Sequence, residues 1–403
     1  MRLKNAPLWE RMVIWGALAL EKEDLFVTHN VSDLLFVGYE DPILKIAQNP
    51  LVHAIIMKYF PDMANLPKRV ALFYGQNGMD DGLYEIYTGA NEDDLSNLGS
   101  IIKWKNATTL PEKWWGTPQA RMINGSDGTM YPPFLTTDDR LHMFVSQVCR
   151  SLYIEPVENP HRVDYDIPTI RFTLPAAVFD PTLPENRGFC GTHDGGYYPV
   201  SQMGGQCLPK GLMDVSRCQP GNPPIAVSLP HFMFAPDEVR YSVNGMRPDL
   251  ERHSTYVDLE PTTAVGVYMS RRLQINVKMH NYNGFGSLSK VKSVLVPIVW
   301  LNESAVIDQG GEGSTHYQIY HDLVQTLSIA YPVCYAVIGL GAFLVVTGLV
   351  GVLVLLYEQH TRAQRRLARN DSHETLEDNE QPPATATPPA AGGDTGAASH
   401  VRL

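Results

Sequence analysis

The stretch LSIAYPVCYAVIGLGAFLVVTGLVGVLVLLYEQHTRAQRRLAR runs from Leu327 to Arg369. From Leu327 to Tyr357 it holds no Asp, Glu, Lys, Arg or His. An uncharged run of that length exceeds the roughly 20 residues a helix needs to cross a bilayer. Tyr331, Tyr335 and Tyr357 stand toward its ends, where interfacial aromatics belong. Arg362, Arg365, Arg366 and Arg369 follow at once. By the positive-inside rule they put the C-terminal side in the cytoplasm and everything before Leu327 outside the cell or in a lumen.

This reading divides the chain into three parts: an ectodomain over residues 1–326, a membrane helix over 327–357 and a cytoplasmic, disordered tail over 358–403. The tail is rich in Pro, Ala and acidic residues from Asn370 onward and lacks the apolar surface a fold requires. The N-terminal MRLKNAPLWERMVIWGALALEKED has no signal-peptide pattern and reads as an amphipathic helix. An ectodomain must still be carried across a membrane. The expectation is therefore that a first membrane segment and further ectodomain residues precede this chain: single-pass as given, two-pass if complete.

The whole chain has 403 residues, 44% of them hydrophobic, with a net charge of −11. That is enough apolar material for a sizeable core. An acidic chain without basic blocks in its main body argues against nucleic acid as a partner. Residues 1–60 carry apolar residues at helical spacing, punctuated by Pro42 and Pro50. Residues 61–326 change to short strand-like runs: RVALFYG, GLYEIYTG, IIKWKN, LHMFVSQV, IRFTLP, RLQINVKM and VLVPIVWLN. No helix–strand alternation is present, so the fold class is mainly β with α: a large antiparallel sheet or barrel with a helical cluster.

Five cysteines occur, and Cys149, Cys190, Cys207 and Cys218 fall in the outside part, where thiols oxidise to disulfides. Four cysteines allow three pairings, which spacing does not resolve. Zinc is the competing reading: Cys190 and His193 form one close pair, but no second pair completes a tetrahedral set. Cys334 lies within the membrane run as a thiol, with palmitoylation the weaker option. Asn30, Asn106, Asn124 and Asn302 open N-x-S/T sequons in the outside part, whereas Asn370 lies in the tail and should stay bare.

Catalytic motifs are missing: there is no G-x-S-x-G, no H-E-x-x-H and no P-loop. GLGAFLVVTG has a nucleotide-loop look but sits within the membrane run, where small residues allow close helix packing. His231 in LPHFMF reads as a core histidine. The pairs Asp80–Asp81 and Asp138–Asp139 read as solvated turns. The expectation is a non-enzyme with no cofactor and no metal.

Several stretches, taken together and in order, resemble the class B scavenger receptors, a family of fatty-acid translocases, high-density lipoprotein receptors and lysosomal integral membrane proteins. They include FVTHNVSDLLFVGYEDPIL (Phe26–Leu44), with Val37 interrupting the usual aromatic-Gly-Tyr, then NGMDDGLYEIYTG, MINGSDGTMYPPF, VCRSLYIEP, RGFCG and GLMDVSRCQPGNPPIAVSLPHFMFA. HSTYVDLEPTTAVGV, RRLQINV and VPIVWLNES complete the series. The resemblance implies an antiparallel β-barrel ectodomain with a helical bundle at its membrane-distal apex and an apolar tunnel through the barrel. It implies the pairings Cys149–Cys218 and Cys190–Cys207, with no third bridge because Ala120 stands where some members have cysteine.

It also implies a membrane glycoprotein receptor that binds lipids, sterols or lipoprotein particles and passes lipid down the tunnel, in the plasma membrane or a lysosomal or endosomal membrane. The alternative is a lysosomal sorting receptor holding a lumenal enzyme on its apex helices. Against that alternative, the tail shows no acidic dileucine signal, and Leu8 falls where the lysosomal member has a pH-switching histidine. The terminal HVRL offers itself to a PDZ groove as an added strand.

Overall fold

The structure, a computed structural model, describes residues 7–20, 27–59, 69–76, 78–90, 92–190, 207–219, 222–280 and 291–377. It divides into two compact units that meet between Val324 and Gln325.

The first unit opens with three helices, α1 (Leu8–Leu20), α2 (Pro42–Ala47) and α3 (Pro50–Tyr59). Two of their starts are written in dipeptides. Asp41 and Asn49 accept the backbone N–H of Leu44 and Leu51 through their side-chain oxygens. Each is followed by a proline at the first helical position, where a missing N–H costs nothing. Ala47, Val52 and Ile55 bury the inner faces. The buried carboxylate of Glu10 on α1 receives the Lys58 ammonium of α3 at 2.7 Å.

The strands follow. A small ladder pairs β1 (Tyr84–Ile86) with β2 (Ile101–Trp104). Eight more strands form one antiparallel sheet: β3 (Leu141–Val145), β4 (Arg150–Asp164), β5 (Ile167–Thr173), β6 (Leu212–Asp214), β7 (Ile225–Ser228), β8 (Tyr256–Leu259), β9 (Gly266–Met279) and β10 (Val294–Val306). The path is β3-β4-β5-β8-β9-β7-β6, with β10 on the other edge of β9. β9 therefore has two neighbours along one edge: β8 beside Gly266–Ser270 and β7 beside Gln274–Val277. The sheet forks there into one arm ending at β3 and another ending at β6.

Both arms curl around a single core. It draws Leu152 and Ile154 from β4, Ile170 and Phe172 from β5, Val257 and Leu259 from β8, and Met213 and Val227 from β6 and β7. The free ends of the arms are then joined by Cys149, between β3 and β4, bonded to Cys218, just after β6, with Cα atoms 6.3 Å apart. Among the described residues the ring is completed by this bridge, and no ladder connects β3 with β6. The mainly-β architecture with helices is the one anticipated from the strand pattern.

Three readings need correction. RVALFYG is no strand: Val70 makes one isolated bridge to Tyr39, and the N–H groups of Leu72 and Phe73 donate to Leu34 and Leu35 in the wide helical turn Asp33–Val37. A nearby segment thus captures its backbone. Four strands lie outside the strand-like runs: β4, whose pattern is interrupted by Pro156 and Pro160, and β6, β7 and β8, each only three or four residues long. The tail is helical from residue 358 to Glu377, in one continuous helix Thr326–Glu377. Its sequence there favours a helix, with Ala, Arg, Gln and Leu frequent and an Arg362–Glu358 pair at i,i+4.

That helix makes up most of the described part of the second unit. It is long and apolar enough to cross a membrane, and its apolar window is wholly unburied within the protein. The uncharged stretch Leu327–Tyr357 rises about 46 Å at 1.5 Å per residue, more than a ~30 Å hydrocarbon core requires. Thr347 satisfies its hydroxyl on the Phe343 carbonyl at 2.9 Å, so it adds no unpaired polar group.

Candidate functional site

Along β3, side chains alternate between two cores. Phe144 points into a cluster with Trp104, Trp115 and Cys149, while Leu141, Met143 and Val145 point inside the curl. Period-2 alternation places Ile154, Val257 and Met269 on the same inner side. Met143, Val145, Ile154, Val257 and Met269 together wall a cavity of about 290 Å³. Its rim is polar. The Asp81 carboxylate accepts from the Tyr84 hydroxyl at 2.7 Å and from the Ser146 hydroxyl at 2.5 Å. Arg271 donates through Nε to Glu303 at 2.7 Å, across the β9–β10 pair.

Tyr131 supplies the one buried polar group of special interest on this wall. The residue is 3% exposed, and its hydroxyl makes no hydrogen bond of normal geometry, although the Ser126 hydroxyl is near. Burial pushes its phenol upward; burial and then the bond to Asp81 do the same for Tyr84. Both therefore stay protonated donors at any physiological pH. An apolar chamber with a polar rim suits an elongated apolar ligand with a polar end. Each methylene moved from water into such a chamber is worth about 0.8 kcal/mol.

β9 has a second buried face that strand patterning did not reveal. Ser270, Gln274, Asn276 and Lys278 alternate there, all at most 3% exposed. Gln274 Nε2 donates to Asn276 Oδ1 at 2.8 Å, Asn276 Nδ2 to Ser228 Oγ at 3.0 Å, and Lys278 Nζ to Asp214 Oδ2 and Ser216 Oγ, both at 2.6 Å. Burial alone would raise the Asp214 carboxyl. The Lys278 ammonium and the Ser216 donors outweigh it and hold the carboxyl below its ordinary value. Such a satisfied network rigidifies the strand that also carries Met269 and Arg271.

The other singled-out residues fall as follows. Cys190 is bonded to Cys207 across 17 positions, and Cys334 is free and exposed on the long helix. His193 and the whole loop between Cys190 and Cys207 lie outside the described residues, as do the terminal HVRL and Asn77 of the proposed Asn-Gly turn. Among the described residues no group of three His, Cys, Asp or Glu side chains is placed to hold a metal. Asn30, Asn106 and Asn302 are exposed, and Asn124 is half-buried. Asn302 accepts the Ser270 hydroxyl through Oδ1 at 3.0 Å. Asp81 is no idle turn residue, since it ties β1 to the end of β3, whereas Asp139 closes a local turn by accepting from Thr136. Leu8 is exposed on α1, and Ala120 is buried against Trp115.

His231 is only partly buried, with φ at 56° and its N–H donated to Gln274. Its ring stacks on that of His253 at 4.4 Å, and His253 meets Trp300 edge-on. Both rings accept backbone N–H groups at Nδ1, from Arg247 at 3.2 Å and Asp249 at 2.8 Å. Burial, then the proximity of His231, lowers the His253 imidazole. No local signal in the sequence pairs two histidines 22 positions apart.

The chain carries a curled antiparallel sheet bridged by a disulfide, an apolar chamber within that sheet, and a following helix long and apolar enough to cross a membrane. The CD36 family model matches residues 1–352, and the chain belongs to that family. It is 33% identical over 338 residues to lysosome membrane protein 2 of Rattus norvegicus and 33% over 333 residues to that of Homo sapiens, each alignment covering 83% of this chain. It is 29% identical over 344 residues, 85% of this chain, to scavenger receptor class B member 1 of Sus scrofa. The chain spans about three fifths of the length of these relatives, 62%, 62% and 60% respectively.

Proposed function

We propose that this protein is a membrane receptor, not an enzyme, that takes a lipid or sterol into the chamber within the curled sheet and passes it toward the bilayer. The observation that carries this reading is the chamber itself: five apolar inner side chains and a polar rim. The relatives named as scavenger receptor and lysosome membrane protein support a receptor in a cell-surface or lysosomal membrane. The helix Thr326–Glu377 serves as its anchor, with the sheet outside or in the lumen.

The test is photo-crosslinking of the purified chain with a clickable sterol and with a clickable fatty acid. Label on peptides containing Met143, Ile154 or Val257, abolished by Val257→Trp, is the expected result. Label confined to Thr326–Glu377 would overturn the reading, because the lipid would then be meeting only the anchor.

A second reading, capture of a protein cargo at the helical end, is favoured by the exposure of Val31, Phe36, Val37 and Leu51, each more than half exposed. Phe36→Asp combined with Val37→Asp should then abolish cargo binding and leave lipid crosslinking intact. Unchanged cargo binding would remove this reading.

A further inference from the structure

The uncharged run ends at Tyr357, but the helix Thr326–Glu377 continues without a break. Continuity turns separate arginines into one surface. Arg362, Arg365, Arg366 and Arg369 follow the spacing i, i+3, i+4, i+7, so on a helix they share an arc of about 100° on one face. All four are exposed. Glu358, one turn earlier, lies on the same face and holds Arg362 at 3.1 Å. Arg365, Arg366 and Arg369 make no ion pair among the described residues. Orientation by positive charge asks only for basic residues near the span, of either kind and on any face. Here the basic residues are all arginine, with no lysine anywhere in residues 358–403, and those next to the span lie on a single face.

Arg362 and Arg369 stand 5 and 12 positions past Tyr357, a rise of about 8 and 18 Å along the helix. The headgroup layer on each side of the hydrocarbon is only about 5–8 Å deep. The stripe therefore starts at that layer and projects beyond it. A serine headgroup ends within the layer, whereas an inositol ring carrying phosphate monoesters stands further out. A planar guanidinium grips two phosphate oxygens at once, which the point charge of lysine does not. We propose that this stripe is a binding surface for the phosphorylated headgroup of an inositol lipid, in the leaflet at the C-terminal end of the helix. The proposal rests on the reading of Thr326–Glu377 as the anchor. Because Glu358 already engages Arg362, the lipid phosphates meet chiefly Arg365, Arg366 and Arg369.

The experiment uses the full chain. It is first reconstituted in phosphatidylcholine vesicles and washed at alkaline pH, and retention in the membrane is expected. A chain that washes off is no anchor, and that result would overturn the proposal together with the reading beneath it. The retained chain, taken up in detergent, is then titrated with a fluorescent dioctanoyl phosphatidylinositol bisphosphate and followed by anisotropy. The expected result is saturable binding, weakened about 10-fold or more in Arg365→Gln/Arg366→Gln and weakened less in Arg365→Lys/Arg366→Lys. Phosphatidylserine at equal total charge should not displace the probe. Both variants alter exposed side chains of a helix, so their urea midpoints should match wild type. In a retained chain, unchanged binding by the glutamine variant would overturn this proposal and leave the anchor standing. So would a lysine variant equal to wild type, or displacement of the probe by phosphatidylserine.

Discussion

Replacing Cys149 and Cys218 together by alanine tests whether the curled sheet depends on its covalent closure. The two positions are 69 residues apart, and the cost of leaving such a loop open in the unfolded chain grows with the logarithm of its length. The chain-entropy relation gives about 4.4 kcal/mol for this bridge at 25 °C. The same relation gives about 3.1 kcal/mol for Cys190–Cys207, which closes only 17 positions. Packing widens the difference. Cys149 is 4% exposed within the cluster of Trp104, Trp115 and Phe144, and its carbonyl accepts the Trp115 indole N–H at 2.6 Å. Losing a buried sulfur there adds about 1 kcal/mol. Cys190 is only partly buried. Urea unfolding of the purified chain in detergent, followed by tryptophan fluorescence, should therefore rank wild type above Cys190→Ala/Cys207→Ala and that above Cys149→Ala/Cys218→Ala. The two variants should differ by about 2 kcal/mol. Equal midpoints, or the reverse order, would refute the claim that the long bridge closes the ring.

Four other outcomes are expected. Tyr131→Phe removes a buried hydroxyl that makes no hydrogen bond of normal geometry, so stability should hold or rise; a loss of stability would show that the hydroxyl already has a partner. His253 has its folded-state pKa below its ordinary 6.5. The unfolded chain therefore binds its proton first as pH falls, so stability present above about 6.5 is lost on acidification toward the folded value. Comparing Tm at pH 7.5 and about 5.5 should show a drop that is smaller in His253→Gln, and identical slopes would count against a role for the stacked pair. At Gly125 φ is +77°, and an added Cβ would lie 1.9 Å from the His142 carbonyl oxygen. Gly125→Ala should accordingly cost at least about 2 kcal/mol in urea unfolding, and a near-neutral result would contradict the tight approach to β3. Finally, glycosidase digestion of the chain expressed in cells should increase its gel mobility, with smaller shifts after Asn→Gln at Asn30, Asn106 or Asn302; no shift would place these sequons outside a glycosylating compartment.

Much was legible in residue order alone, because it rests on local physics. A 31-residue run without charge marks a membrane-length helix wherever it occurs. Asp41–Pro42 and Asn49–Pro50 announce helix starts because cap and proline act on adjacent backbone groups. Alternation in LHMFV and RLQINVKM announces strands. The series of short stretches in family order pointed to the same architecture that the strand pattern did.

Tertiary structure alone decided the rest, because those features depend on which distant residues meet. Inward and outward faces of a strand look alike until the curl is known, so neither the chamber wall nor the unpaired Tyr131 could be named from sequence. The β4–β5 hairpin turns through Tyr165 and Asp166, both with positive φ, without the Asn-Gly signal that would have marked it. β9 was readable as a strand, but its buried polar row required β6 and β7, two short strands whose isolated sequences say little. Arg150 reads as an ordinary charge in VCRSLY. It becomes a buried guanidinium only when Val178, Asn186 and Phe189, 28 to 39 positions onward, close around it. Burial is a property of the folded chain as a whole, and it is burial that turns a common side chain into a charge in need of a partner.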